Sequence, residues 1–120
     1  MPDAFIKERL YFIIEHIEAI SEYFSIIHHP SDFKSSFEGK KSFDAIAGKL
    51  LAIGEGIKKI EQKFPGFTKK NLTPDVEIII RFRDFIAHHY EKLDFDIIYD
   101  ICSSKLPALK KSIFDFLNRA

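Results

Sequence analysis

The sequence predicts an all-α protein, an up-and-down helical bundle of four main helices. Apolar residues recur every three or four positions along most of the chain, and no stretch alternates apolar and polar residues as a half-exposed strand would. Prolines lie where such helices would begin, end or bend. A chain of 120 residues suffices for one domain and is short for two, so we expect a single domain over residues 1–120.

The first long helix is predicted over about residues 4–27, where apolar side chains follow helical spacing and most charged side chains lie off that stripe. Pro30 marks its end because proline lacks the backbone N–H that an interior helical position donates. Residues 31–40 should form a connection that contains one short turn, anchored by Phe33 and Phe37.

The second long helix is predicted over about residues 42–64 and is ended by a Pro-Gly pair. Each glycine inside it costs about 1 kcal/mol relative to alanine in an exposed helix interior. Their presence predicts close approach of another backbone or of a ligand, packing being the more common reason. The glycines concerned are Gly48, Gly54 and Gly56.

The third helix is predicted to start at a Thr-Pro-Asp sequence and to cover about residues 73–89. Threonine is a good N-cap, proline fits the first helical position, and an acid is favoured in the first turn. The fourth helix is predicted over about residues 94–118, with Asp94 as its N-cap. Because Pro107 falls inside it, we expect this helix to be kinked or split there.

Charge and cysteine content limit the possible functions. Lys+Arg and Asp+Glu both number 18, so the formal net charge is zero. A protein that coats nucleic acid would be strongly basic, so any RNA contact must come from a local cluster. The single Cys102 excludes an intramolecular disulfide and a cysteine-rich zinc site. It fits a reducing cytosol and should be an inert core residue of the fourth helix.

The apolar content bears on location and assembly. No apolar stretch approaches the ~20 residues that a membrane span needs, and the N-terminus lacks the pattern of a signal peptide. We therefore expect a cytoplasmic protein that does not contact the membrane. The 13 phenylalanines and the many isoleucines exceed what one small core absorbs, which predicts a buried interface such as a homodimer.

Candidate chemistry lies near the end of the third helix. Arginine stays charged and binds phosphate through two parallel hydrogen bonds, and histidine transfers protons near neutral pH. Metal-free RNA cleavage needs these functions: a proton acceptor, a proton donor and positive charge on the phosphate. Arg83 and His88 could supply them. Asp84, four residues before His88, could orient the imidazole.

Helix geometry alone does not assemble this site. At ~100° per residue, Arg83 and Tyr90 lie within about 20° of each other, whereas His88 lies about 140° from Arg83. Either the helix unwinds just past His88, leaving Tyr90 in a loop, or a dimer partner completes the site. On residue chemistry alone, the more common interpretation is a salt-bridge or capping cluster, with histidines favoured by the helix dipole.

Two other groups of residues could carry chemistry. His28 and His29, with His16 upstream, lack a carboxylate at ligand spacing, and adjacent helical histidines point to different sides, so we expect no metal site. A basic cluster surrounds the end of the second helix. It is either a solvated face or a set of contacts to the RNA backbone. Its members are Lys58, Lys59, Lys63, Lys69 and Lys70.

Together these features resemble the HepT-like branch of the HEPN superfamily. Residues 83–90 are similar to its Arg-x4-His-x-Tyr signature, and residues 51–55 resemble its Ile-Gly-Glu segment. Residues 94–99 resemble the start of its last helix, and the following Leu-Pro pair at 106–107 also matches. The similarity extends over about residues 5–117 in the family's order and spacing.

The resemblance implies a homodimeric toxin of a toxin–antitoxin pair, acting as a metal-independent endoribonuclease without a cofactor. Arg83 and His88 of both subunits would line a cleft at the dimer interface, and Asp84 and Glu55 would support them. A minimal nucleotidyltransferase antitoxin would attach AMP to Tyr90. The bulky anion would then block the phosphate site beside the arginine and histidine.

Two positions depart from the family's pattern. Gly56 replaces the usual alanine, and Asp84 replaces the more common asparagine. An acid at position 84 would repel RNA phosphate, so a second function class stays open. In that alternative, the same cleft is a non-catalytic module that binds a nucleotide or docks the nucleotidyltransferase.

Overall fold

The computed structural model describes residues 3–119, except for the side chain of Tyr90, and within this part of the chain all regular structure is helical. The predicted all-α class is therefore confirmed. Two turns of other helix types occur, a 3₁₀ turn at Tyr90–Lys92 and a π-helical segment at Ile101–Lys105. The α-helices are α1 (Ala4–Phe24), α2 (Asp32–Ser35), α3 (Phe37–Lys63), α4 (Phe67–Asn71), α5 (Val76–His89), α6 (Phe95–Asp100) and α7 (Leu106–Arg119).

The core is built around α3, which packs against α1 on one side and α5 on the other. The apolar stripes predicted for these helices face one another and are almost fully buried. Burial of each such side chain stabilises the fold by roughly 1.5–3 kcal/mol. The stripes include Leu10, Ile13 and Ile20 of α1, Ile46, Leu50, Ile53, Ile57 and Ile60 of α3, and Ile79 and Ile86 of α5.

The connection after α1 differs from the prediction in two respects. The second long helix begins at Phe37, five positions before the predicted start at 42, because Ser36 caps it and accepts a hydrogen bond from the N–H of Gly39 at 2.9 Å. Phe33 is buried and anchors the short helix α2, as predicted. The prediction for Phe37 is wrong: its side chain is 72% exposed and lies 5.4 Å from the ammonium of Lys41.

A short helix, α4, links α3 to α5, and the sequence analysis missed it. Gly66 adopts φ +90°, a left-handed conformation that glycine tolerates without a steric cost. The carboxylate of Glu61 accepts hydrogen bonds from the N–H of Gly66 at 2.5 Å and from the hydroxyl of Thr68 at 2.8 Å. These bonds lower the pKa of Glu61 and fasten α4 to the end of α3. The Thr-Pro-Asp sequence then forms a turn, and α5 begins at Val76.

The last predicted helix remains helical to Arg119, with an irregularity just before Pro107. Asp94 caps it as predicted, accepting hydrogen bonds from two backbone N–H groups. The π-helical turn precedes the proline, where a wider turn accommodates a residue that cannot donate to the preceding turn. Cys102 is buried in this turn, and burial raises its pKa to about 12, which keeps the thiol protonated.

Candidate active site at the seam of α3 and α5

Helix α5 is unbroken from Val76 to His89, and its buried residues fix which side faces the core. Ile79 and Ile86 point into the bundle. Arg83, one turn after Ile79, lies at the edge of that buried face, and its side chain is 22% exposed. The arginine therefore lies at the seam where α5 packs on α3.

The side chain of Arg83 crosses the backbone of α3 and ends among three charged groups. One guanidinium nitrogen forms an ion pair with Glu55, and Nη1 donates to Oδ1 of Asp84 at 2.7 Å. The ammonium of Lys58 lies 3.5 Å from the same Asp84 oxygen. Two cations and two anions alternate, so the cluster as it is found carries no net charge.

Neighbouring charges favour the ionised form of Asp84. The hydrogen bond from Arg83 is the largest cause of a lowered pKa at Asp84, and the charge of Lys58 adds to it against partial desolvation. The Nε atom of Arg83 is buried and has no hydrogen-bond partner among the described residues. A phosphate could bind Arg83 through the nitrogens that now contact carboxylates, provided that it displaces at least one of them.

His88 lies elsewhere on the same helix. It is exposed and borders a shallow open cavity with His89, Glu91 and Lys92. Because α5 continues through His89, the separation of about 140° from Arg83 is retained, and one protomer does not bring the two side chains together.

The structure also shows how the other residues of the motif are arranged. Asp84 bonds to Arg83 and Lys58, and among the described side chains no hydrogen bond joins it to His88. The expectation that Asp84 orients the imidazole is therefore not met within one protomer. Tyr90 begins the 3₁₀ turn after α5, which agrees with an unwound helix end. Its side chain, the predicted modification site, lies outside the described part of the chain.

Of the predicted basic cluster, one lysine contacts this site. Lys58 reaches Asp84, as described above, and Lys59 is exposed on the same helix. The ammonium of Lys63 lies 4.4 Å from the centre of the Phe5 ring, a cation–π contact at the far end of α3. His28 and His29 lie in the connection after α1, where their backbone N–H groups both donate to the carboxylate of Asp32.

Two features of the surface around α5 could not be predicted from the sequence. The first is the contact between Gly54 and Arg83, since spacing along one helix does not reveal which residue of another helix it meets. The second is an apolar groove on α5 and α6, lined by Ile78, Arg81, Phe82, Phe85, Asp94 and Ile97. Its aliphatic and aromatic side chains are exposed by up to 43%. An excess of apolar residues predicted such a surface, although not where it would lie.

The fold and site define an all-α protein with a polar cluster held between its central helices. The chain matches the family model described as "Ribonuclease HepT-like" over residues 13–114, and it belongs to this family. A similar curated protein is "Putative RNase MJ0127" of Methanocaldococcus jannaschii, 29% identical over 119 residues, which cover 98% of this chain and 91% of that protein. No solved structure shows significant similarity.

In the described residues, no helix combines the length and apolar content needed to cross a bilayer.

The cluster predicts a specific response to loss of the arginine. Replacing Arg83 with methionine should raise the pKa of Asp84, because the hydrogen bond from Arg83 is the main cause of its lowering. In the wild type, the folded-state pKa of Asp84 lies below the unfolded one. Ionised Asp84 therefore stabilises the fold above the unfolded pKa, and that stabilisation is lost as pH falls through the folded pKa.

The measurement is an NMR titration of the Asp84 carboxyl carbon, with thermal unfolding followed over the same acidic range. The melting temperatures of the wild type and Arg83→Met should converge as pH falls. Lys111→Met is the matched control, since Lys111 pairs with the exposed Asp115 on α7 at 2.8 Å. An unchanged Asp84 titration in Arg83→Met would contradict the interpretation.

Proposed function

We propose that this chain is a metal-independent endoribonuclease and the toxin of a HepT-type toxin–antitoxin pair. Membership of the ribonuclease family and the name of the archaeal relative support a nuclease activity. The observation that carries the proposal is the placement of Arg83 at the seam of α3 and α5, where its charged nitrogens contact acceptors that a phosphate could replace. The buried thiol of Cys102 fits action in a reducing cytoplasm.

The proposed reaction is cleavage of RNA through its own 2′-hydroxyl. The 2′-oxygen attacks the adjacent phosphorus, the bond to the 5′-oxygen of the next nucleotide breaks, and a cyclic phosphate and a 5′-hydroxyl result. His88 accepts the 2′-hydroxyl proton, and a protonated His88 of a second copy donates to the leaving oxygen. Arg83 balances the charge that develops on the phosphate oxygens. Lys58, Lys59 and Lys63 would contact the RNA backbone along α3.

A homodimer forms part of this proposal because one unbroken helix cannot bring Arg83 and His88 to the same phosphate. The apolar groove of α5 and α6 offers a surface for a second copy, and its exposed Phe85 and Ile97 would be buried there. By helical spacing, His88 lies on the side of α5 that carries the groove. A second copy that covers the groove would therefore enclose His88 between the two chains. Arg83 lies on a different side of α5, at the seam with α3, so it would reach the shared phosphate from the edge of this interface.

Control by an antitoxin completes the proposal. A minimal nucleotidyltransferase would attach AMP to Tyr90, the residue at which α5 gives way to the 3₁₀ turn. The flanking His89 and Glu91 are exposed, so an enzyme could approach this turn. The added phosphate would lie two residues from His88 and compete with RNA for the same charges.

A second function is favoured by the same cluster. Because Glu55 and Asp84 already neutralise Arg83, and His88 is separated from it, the protomer alone has the properties of a binding module. In this alternative, the site holds a nucleotide or docks the nucleotidyltransferase without cleaving RNA.

The first experiment measures cleavage of tRNA and of generic RNA in EDTA, using protein that mass spectrometry shows to be unmodified at Tyr90. Arg83→Ala and His88→Ala should remain folded and lose at least about 100-fold in rate. His29→Ala, which replaces an exposed histidine outside the site, should retain activity. Inert unmodified wild type would reject the ribonuclease proposal and favour the binding module.

Asp84 should restrain the activity, since its charge opposes a bound phosphate. Asp84→Asn removes that charge and keeps an oxygen that can accept from Arg83, so kcat/KM should rise by about threefold. Asp115→Asn, on α7, is the matched control and should leave kcat/KM unchanged. A fall in kcat/KM for Asp84→Asn would mean that the carboxylate itself assists the reaction.

The dimer is tested by placing a charge in the groove. Phe85→Asp should convert the dimer to a monomer, because a buried unpaired carboxylate opposes association, and should abolish cleavage with it. Ile26→Asp is the control, since Ile26 is 49% exposed and does not line the groove. Light scattering after gel filtration reports the mass of each variant. A monomeric wild type that cleaves RNA would refute the shared site.

A further inference from the structure

Gly54 occupies an unusual position in the middle of α3. An ideal Cβ built on it would lie 2.5 Å from both Cβ and Cγ of Arg83, and 3.4 Å from Cδ. Real Cβ atoms do not approach other heavy atoms so closely. The aliphatic stem of Arg83 therefore occupies the space in which any other residue at position 54 would place its side chain.

The two other glycines in the middle of α3, Gly48 and Gly56, have different surroundings. Among the described residues, a Cβ on Gly48 would meet no heavy atom within 4 Å, so no neighbouring part of this protomer requires a glycine there. A Cβ on Gly56 would lie 3.3 Å from Cγ1 of Ile13 on α1, which is closer than an ordinary contact, so this glycine makes room for a core side chain. Of the three interior glycines, Gly54 is the one whose missing side chain makes room for a proposed catalytic residue.

Hydrogen bonding alone does not explain the path that Arg83 takes. Its Nε is buried and has no partner in the described part of the chain, although a buried donor usually has one. Packing of the stem on the bare backbone of Gly54 determines this path, and the guanidinium then reaches Glu55, the next residue of the same helix.

We propose that Gly54 is a positioning residue, which sets the location of the Arg83 guanidinium by leaving the path across α3 open. This inference rests on the proposed ribonuclease function for its catalytic consequence, although the contact itself is independent of it. A methyl group at position 54 would press on Cβ, which is fixed to the backbone of α5, and on Cγ, which can move away only if the side chain turns to another χ1 rotamer. Arg83 or the whole of α5 must then shift by roughly the overlap.

The experiment compares Gly54→Ala with Gly48→Ala, the same substitution in the same helix where the space is open. Asp84 serves as the reporter, because its carboxyl titration senses the hydrogen bond from Arg83. In Gly54→Ala the pKa of Asp84 should rise, and kcat for RNA should fall about 100-fold, as expected for a misplacement of about 1 Å. KM should change by less than about threefold. Gly48→Ala should match the wild type in all three measurements.

The titration separates the two proposals, since it needs no activity. If wild type fails to cleave RNA but Gly54→Ala shifts the Asp84 titration, the positioning role holds and the ribonuclease proposal fails. An Asp84 titration identical to that of the wild type would overturn the positioning role. Should Gly54→Ala fail to fold, the double variant with Arg83→Gly removes the clashing atoms. Recovery of folding would support the contact, and continued misfolding would refute it.

Discussion

The burial of two apolar stripes on α3, one against α1 and the other against α5, is the interaction on which the rest of the structure depends. It sets the rotation of α5 about its own axis, because Ile79 and Ile86 must both face the core. Once that rotation is fixed, Arg83 can lie only at the seam between α3 and α5. The position of the candidate site is thus a consequence of hydrophobic packing and not of its charges.

The charged side chains at the seam are arranged around a position of Arg83 that hydrophobic packing determines. An arginine that is 22% exposed loses part of its hydration, and the two carboxylates beside it restore favourable interactions. This arrangement stabilises the resting protomer and opposes phosphate binding at the same time. In the proposed function, an RNA phosphate would have to offer better acceptor geometry than Glu55 and Asp84 do. Lys58 would make that exchange easier, since it already pairs with Asp84 and would keep it paired if Arg83 turned to another anion.

Much of the fold could be predicted from the sequence, because helical periodicity and capping are local properties. The apolar stripes, the cap at Asp94 and the buried Phe33 all follow from residues close together in the chain. Phe37 was mispredicted because an apolar residue at a helix start is not thereby directed to the core. The contact of Gly54 with Arg83 involves two helices, and no spacing rule along one of them specifies such a contact.

The continuity of α5 has a further consequence for the chemistry. Arg83 and His88 are constrained by one rigid helix, so their relative position cannot be tuned by a small loop movement within the protomer. Only two changes would bring both side chains to one phosphate: unwinding of the last turn of α5, or the approach of a second chain. Both involve the C-terminal end of α5, where the helix already becomes a 3₁₀ turn at Tyr90. A modification at that residue would add bulk and negative charge where the helix ends and where a second chain would close. In the proposed function, modification of Tyr90 and assembly of the site would therefore involve the same end of α5.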